Sequence, residues 1–219
     1  MDRSRRCAHC GIVPELCACD LLPRIHLAFD LVVVQHCAEL TRGTNTGRLL
    51  DTIVPAARLL SFGRPGRPFD SSSLVRADRA PIVLFPRGGE VLTRQHLEAT
   101  NGRRAELILL DGSWKQARRM ARRVPGIDQF RFVGLPDGPP SSWRLRRPTE
   151  AHMLCTLEAA SRATTVAGDE DSARRMLDAL HLVEARSLYL RGEIDRSTMQ
   201  RRSDALRVFR DQAKRGMRT

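Results

Sequence analysis

An α/β domain built on a mostly parallel sheet is what this sequence predicts, on three observations. The apolar runs Leu31-Val-Val-Val34 and Leu107-Ile-Leu-Leu110 have strand length and read as strands buried on both faces. Such runs alternate with helix-length segments along the chain. Apolar residues make up 42% of the 219, enough for one sizeable core and too few for two large domains.

The elements follow in order. A strand is expected over Leu27–Gln35, a helix over Thr46–Ile53 and a second strand over Ala57–Phe62. Residues Gly63–Asp70 hold glycine and proline punctuation and read as a loop. Pro81–Phe85 is a strand ending at Pro86, and Thr93 caps a helix continuing to Thr100. Glu106–Leu110 is a strand that runs straight into Asp111-Gly-Ser-Trp114, with a helix to Arg123 behind it. Gln129–Leu135 is a strand, and Pro136–Ser142 a turn-rich loop. One helix starts near Thr156, and a longer one runs from Asp169-Glu-Asp171 to Arg191. A basic helix closes the chain over Ser197–Lys214. Three segments are expected: a Cys-rich piece at 1–24, the main domain at 25–195 and the basic C-terminal helix at 196–219.

Net charge is +12, almost all of the basic excess being arginine, with lysine only at positions 115 and 214. Such an excess favours a polyanion, because each phosphate neutralised releases condensed counterions; a merely solubilising surface is the alternative. No run approaches the roughly 20 apolar residues of a membrane span. The N-terminus lacks a secretory apolar region, so a soluble, cytoplasmic protein with no membrane partner is expected. The oligomeric state is left open, with a monomer the default.

Four of the six cysteines, Cys7, Cys10, Cys17 and Cys19, follow a C-x2-C-x6-C-x-C spacing. In a reducing compartment such clusters hold metal more often than disulfides. Four soft thiolates suit a closed, structural Zn²⁺ site; His9 in place of one thiolate, an iron–sulfur cluster and four reduced thiols are the alternatives.

Asp111 stands where ligands bind in open α/β sheets, at the carboxyl end of a strand, and Gly112 permits close backbone approach. Ser113 and Gln116 form an S-x-x-Q capping box, so Ser113 has a structural reading beside a catalytic one. Trp114 is either core or a platform for a base. Lys115, Arg118, Arg119 and Arg122 fall on one helix face, read as a phosphate-binding stripe or a solvated surface.

Taken together these stretches resemble the DTW-domain family. Its D-x-T-W motif stands here as Asp111-Gly-Ser-Trp114, with Ser113 for the usual threonine. The Cys7–Cys19 cluster, His36 and Glu39, Thr44-Asn-Thr-Gly-Arg-Leu49, Leu84-Phe-Pro86, Arg144-Leu-Arg-Arg-Pro148 and Thr156-Leu-Glu-Ala159 complete the pattern, in order, over about residues 5–190. The resemblance implies a SPOUT-like fold with a C-terminal trefoil knot. It also implies transfer of a 3-amino-3-carboxypropyl group from S-adenosylmethionine to N3 of a tRNA uridine, releasing methylthioadenosine. Asp111, Ser113 and Trp114 are then the catalytic candidates, with Asp111 a general base or a holder of the cofactor amine. The cofactor falls to Leu84, Phe85, Pro86, Asp111, Gly112, Leu135, Leu154, Cys155 and Thr156. RNA falls to Arg42, Asn45, Thr46, Arg48, Lys115, Arg118, Arg119 and Arg122, although the Thr44–Arg48 loop could instead meet the aminocarboxypropyl carboxylate and Asn45 and Thr46 read equally as helix caps. His36 and Glu39 are catalytic or a structural pair, Glu158 a helix cap or cofactor contact, and Trp143 a loop anchor. A SPOUT-like RNA methyltransferase and a non-enzymatic zinc-containing RNA binder are the competing readings.

Overall fold

The computed structural model describes residues 6–99, 101–146, 150 and 153–204. Five strands, β1 (Asp30–His36), β2 (Arg58–Phe62), β3 (Arg79–Leu84), β4 (Arg104–Asp111) and β5 (Arg131–Val133), form one sheet in the order β2-β1-β4-β3-β5. Every pairing is parallel, as the continuous apolar runs predict, and Val33 lies opposite both Leu59 and Leu109. The helices are α1 (Thr46–Ile53), α2 (Arg94–Leu97), α3 (Trp114–Arg123), α4 (Thr156–Val166) and α5 (Glu170–Leu190). Residues 196–204 are also helical; Arg207, Arg210 and Lys214 of the expected terminal helix lie outside the described residues.

Strand alternation sends side chains to two separate cores. Leu31, Val33, Leu107 and Leu109 pack with α1, α4 and α5, whereas Val32, Val34, Val83 and Ile108 pack with Met120 and Val124 on the other face. Helices thus cover both faces of the sheet, which a parallel sheet requires. Cys10, Ile12, Ala18 and Leu21 of the Cys-rich segment are buried in the first of these cores. Arg186 of α5 donates from Nη1 to the carbonyls of Leu16 and Cys17, tying that segment down.

Several boundaries differ from expectation. β1 begins at Asp30, not Leu27: its pairing with β4 starts with Asp30 opposite Glu106, and the Asp30 carboxylate is held by Arg79 at 2.5 Å and Arg104 at 3.0 Å. α2 stops at Leu97: Glu98 is extended, and Asn101 (φ 53°) and Gly102 (φ 74°) then turn the chain into β4. β5 shortens to Arg131–Val133 because Ile127–Gln129 forms a 3-10 turn. No helix among the described residues is long and apolar enough to cross a membrane.

Candidate active site

The carboxyl ends of β3, β4 and β5 open into a cavity of about 450 Å³, within the range of small-molecule sites. Its walls are Leu84, Phe85 and Pro86 after β3, Leu109–Gly112 at the end of β4, and Leu135–Gly138 after β5. Leu154, Cys155 and Thr156 close it at the start of α4, and Trp114, Trp143 and Met153 add apolar surface. All nine residues assigned to cofactor from the sequence line this one cavity. The rings of Phe85 and Trp114 lie 6.1 Å apart, tilted by 39°.

Asp111 is 3% exposed and sits among the starts of three helices. Its Oδ2 accepts from Gln35 Nε2 at 2.9 Å and Asn45 Nδ2 at 2.7 Å, and its Oδ1 accepts from Thr156 Oγ1 at 2.5 Å. Asn45 is the N-cap of α1, accepting from the Arg48 amide at 2.6 Å, and Thr156 is the first residue of α4. The carboxylate therefore pins α1 and α4 to the end of β4. A Cβ on Gly47 would lie 2.7 Å from Asp111 Cγ, so α1 approaches this closely only because position 47 is glycine.

Ser113 is not brought into the cavity. It is exposed, its Oγ accepts from the Gln116 amide at 3.3 Å, and its amide donates to Gln116 Oε1 at 2.7 Å. That is the capping box, and it occupies the hydroxyl. Glu158 caps α4, accepting from the Cys155 amide at 2.9 Å, and also holds the preceding loop through Ser141 Oγ and the Ser142 amide, both at 2.7 Å. Burial raises its pKa, but the Cys155, Ser141 and Ser142 hydrogen bonds outweigh this and hold it below the ordinary carboxylate range. His36 and Glu39 do not meet. Glu39 is fully buried and pairs with Arg146 at 2.5 Å and Arg42 at 3.4 Å, whereas His36 Nδ1 accepts from the Ala38 amide at 3.1 Å. Trp143 is buried and lines the cavity.

The residues expected to meet RNA divide into two groups. Lys115, Arg118, Arg119 and Arg122, with Arg123, line a basic groove along α3. Trp114 and Met153 belong to both that groove and the cavity. Around α1 the four residues have partners within the chain. Asn45 is buried between Asp111 and Gln35, Thr46 is buried and lines the cavity, and Arg42 turns back to Glu39. Arg48 points toward the cysteine turn. Burial lowers its pKa, and the charges of Cys10, Cys7 and Asp111 act in the opposite direction.

Cys7, Cys10, Cys17 and Cys19 place all four Sγ atoms within 4.8 Å of one another. Cys7 and Cys19 are 3.5 Å apart, Cys10 and Cys17 3.7 Å. A tetrahedron of Zn–S bonds of about 2.3 Å needs sulfur edges of about 3.8 Å, so the four thiols fit such an ion. His9 is exposed and outside the group. Burial raises the thiols of Cys7, Cys10 and Cys19, but amides of Cys10 and His9 and the thiols of Cys19 and Cys17 pull Cys7 down to about 6, while Cys10 and Cys19 stay raised.

Sequence reasoning missed Gln35 as an Asp111 partner and Gly47 as its close neighbour. It also left Asp137, Gly138 and Arg162 out of the cavity wall. The Pro136–Ser142 loop, directly after a strand end, was the signal for Asp137 and Gly138; Arg162 comes from α4.

Comparison with known proteins gives a consistent set of relatives. A model of the DTW domain matches residues 4–188. The tRNA-uridine aminocarboxypropyltransferase 2 of Mus musculus is 25% identical over 171 residues, covering 75% of this chain and 57% of that protein. The protein of the same name from Drosophila melanogaster is 26% identical over 185 residues, covering 80% and 72%. The chain thus spans little more than half the length of the mouse relative. Among solved structures, the SAM-dependent rRNA:acp-transferase Tsr3 from Vulcanisaeta distributa is similar at TM-score 0.46 and 19% identity, over 82% of this chain and 85% of that one.

Proposed function

Because the chain belongs to the DTW domain family, we propose that it transfers the 3-amino-3-carboxypropyl group of S-adenosylmethionine to N3 of a uridine in tRNA and releases methylthioadenosine. One observation carries the reading: a mostly apolar cavity at the strand ends and a basic groove along α3 share Trp114 and Met153 as a common wall. A nucleoside donor suits the cavity, and an RNA phosphate chain suits the groove. Where the two concavities meet, a base carried by RNA in the groove reaches the donor.

The sulfonium of the donor has three electrophilic carbons, and orientation selects which one the nucleophile meets. Uridine N3 lies inside a Watson–Crick pair, so the target base is in a loop or is flipped out. The proton on N3 has to leave as the new C–N bond forms. Asp111 is the buried carboxylate in the cavity wall, but three donors hold its oxygens. We assign it first the task of fixing α1 and α4 around the donor, with proton transfer left to its remaining lone-pair direction. Trp114 is assigned to the junction and Ser113 to the cap that starts α3.

A structural Zn²⁺ on Cys7, Cys10, Cys17 and Cys19 is part of the same proposal. It leaves no open coordination position, so it supplies structure and no chemistry. The C-terminal trefoil knot and a cytoplasmic location complete the proposal. The test is incubation with S-adenosylmethionine and undermodified tRNA, followed by mass spectrometry of nucleosides. Aminocarboxypropyl-uridine with methylthioadenosine is expected. Methylated uridine with S-adenosylhomocysteine would make the protein a methyltransferase, and RNA binding with no uptake of S-adenosylmethionine would leave an RNA-binding module.

A further inference from the structure

We propose that Arg48, assisted by Arg6, is the charge-compensating partner of the cysteine metal centre and not an RNA contact; the inference rests on the zinc reading above. A divalent ion on four thiolates leaves a net charge of about −2, and a partly buried charge of that size needs cations or donors beside it.

The two arginines both reach Gly11, in the turn that carries Cys7 and Cys10. Arg48 lies in the first turn of α1, and a Cβ on Gly11 would come within 2.4 Å of its Nη2. Gly11 follows Cys10 directly and adopts φ 74° in the turn that joins the Cys7 carbonyl to the Gly11 amide at 3.0 Å. Glycine there therefore serves two purposes, the left-handed turn and the space for a guanidinium. Arg6 donates from Nη1 to the Gly11 carbonyl at 3.0 Å. Arg48 Nη2 makes one long bond, 3.4 Å, to the Arg42 carbonyl, and its buried Nε has no partner among the described residues. A buried guanidinium nitrogen without an acceptor is costly unless a negative charge lies close by. A thiolate centre supplies that charge.

Arg48 also sits three residues from Asn45, which holds Asp111. The metal centre and the cavity wall are thus linked through the first turn of one helix.

The experiment compares zinc affinity of the full chain with that of Arg48→Met, Arg48→Lys and Arg6→Met, by competition with a chromogenic chelator, alongside tRNA affinity. Loss of groups that support metal ligands typically weakens binding by roughly 10–100-fold. That loss is expected for Arg48→Met, a smaller one for Arg6→Met and near-complete rescue by Arg48→Lys, with tRNA affinity unchanged throughout. A wild-type chain that takes up no zinc overturns the metal reading, and this inference with it. Zinc uptake by the wild type with unchanged affinity in Arg48→Met overturns the inference alone, as does a loss of tRNA affinity without loss of zinc affinity. If Arg48→Met does not fold, Arg6→Met decides, and unchanged zinc affinity there counts against the proposal.

Discussion

Two groups of basic residues flank the cavity, and the protein uses them in opposite ways. Around α1, Arg42 and Arg146 pair with the buried Glu39, and Arg6 and Arg48 close on the cysteine turn. Along α3, Lys115, Arg118, Arg119, Arg122 and Arg123 are exposed, and among the described residues none of them forms an ion pair. Both groups are cationic, four residues dispersed along the chain in the first and five within one helix in the second. What separates them is whether a carboxylate, carbonyl or thiol of the chain lies within reach. The second group is the one left without acidic partners among the described residues, so the +12 net charge overstates the unpaired positive surface.

Five variants sharpen or break this contrast, beginning with the largest effect. On the α1 side the damage should appear in stability. Asp111→Ala leaves the side chains of Gln35, Asn45 and Thr156 without their acceptor, at a cost of about 3–5 kcal/mol in urea unfolding. A variant as stable as the parent would show that α1 is not held from within. Gly47→Ala places a methyl against the Asp111 carboxylate, and overpacking of this kind costs about 1–3 kcal/mol. On the α3 side the effect should move to binding. Arg118→Ala with Arg122→Ala should change stability by less than about 0.5 kcal/mol yet flatten the slope of log affinity for tRNA against log salt by about 2. Arg42→Ala should leave that slope unchanged, and an equal flattening by Arg42→Ala would erase the distinction. The smallest effect is the pH response of Glu158. Its folded-state pKa lies below the unfolded value of 4.5, so its contribution is complete above that value and is lost as pH falls through the depressed one. Glu158→Gln should therefore be less stable than the parent at neutral pH, with the gap closing in acid, as followed by thermal melting.

Much of the architecture could be read in the sequence because local signals and tertiary packing agreed. Asn45 and the apolar spacing after it define α1 to the residue, Thr46–Ile53, and the Ser113–Gln116 box fixes the start of α3. The cavity was legible for a topological reason: ligand sites gather at strand ends in parallel sheets, so residues following β3, β4 and β5 were bound to converge. Other features depend on how distant segments fold together. Arg42 and Arg48 look alike as surface cations, yet Arg42 pairs with the buried Glu39 and Arg48 turns to the cysteine turn. Ser113 shares a motif with Asp111 and Trp114 but points to its own helix. Gln35 lies 76 positions from Asp111 in sequence, and no local pattern marks them as partners.

The outermost strands carry a separate consequence. β2 spans only Arg58–Phe62 and β5 only Arg131–Val133, and each starts with arginine. Short, cationic borders offer little template for a second molecule to extend the ladder, so the sheet is guarded against fibril-like growth while its strand ends remain free to hold a ligand.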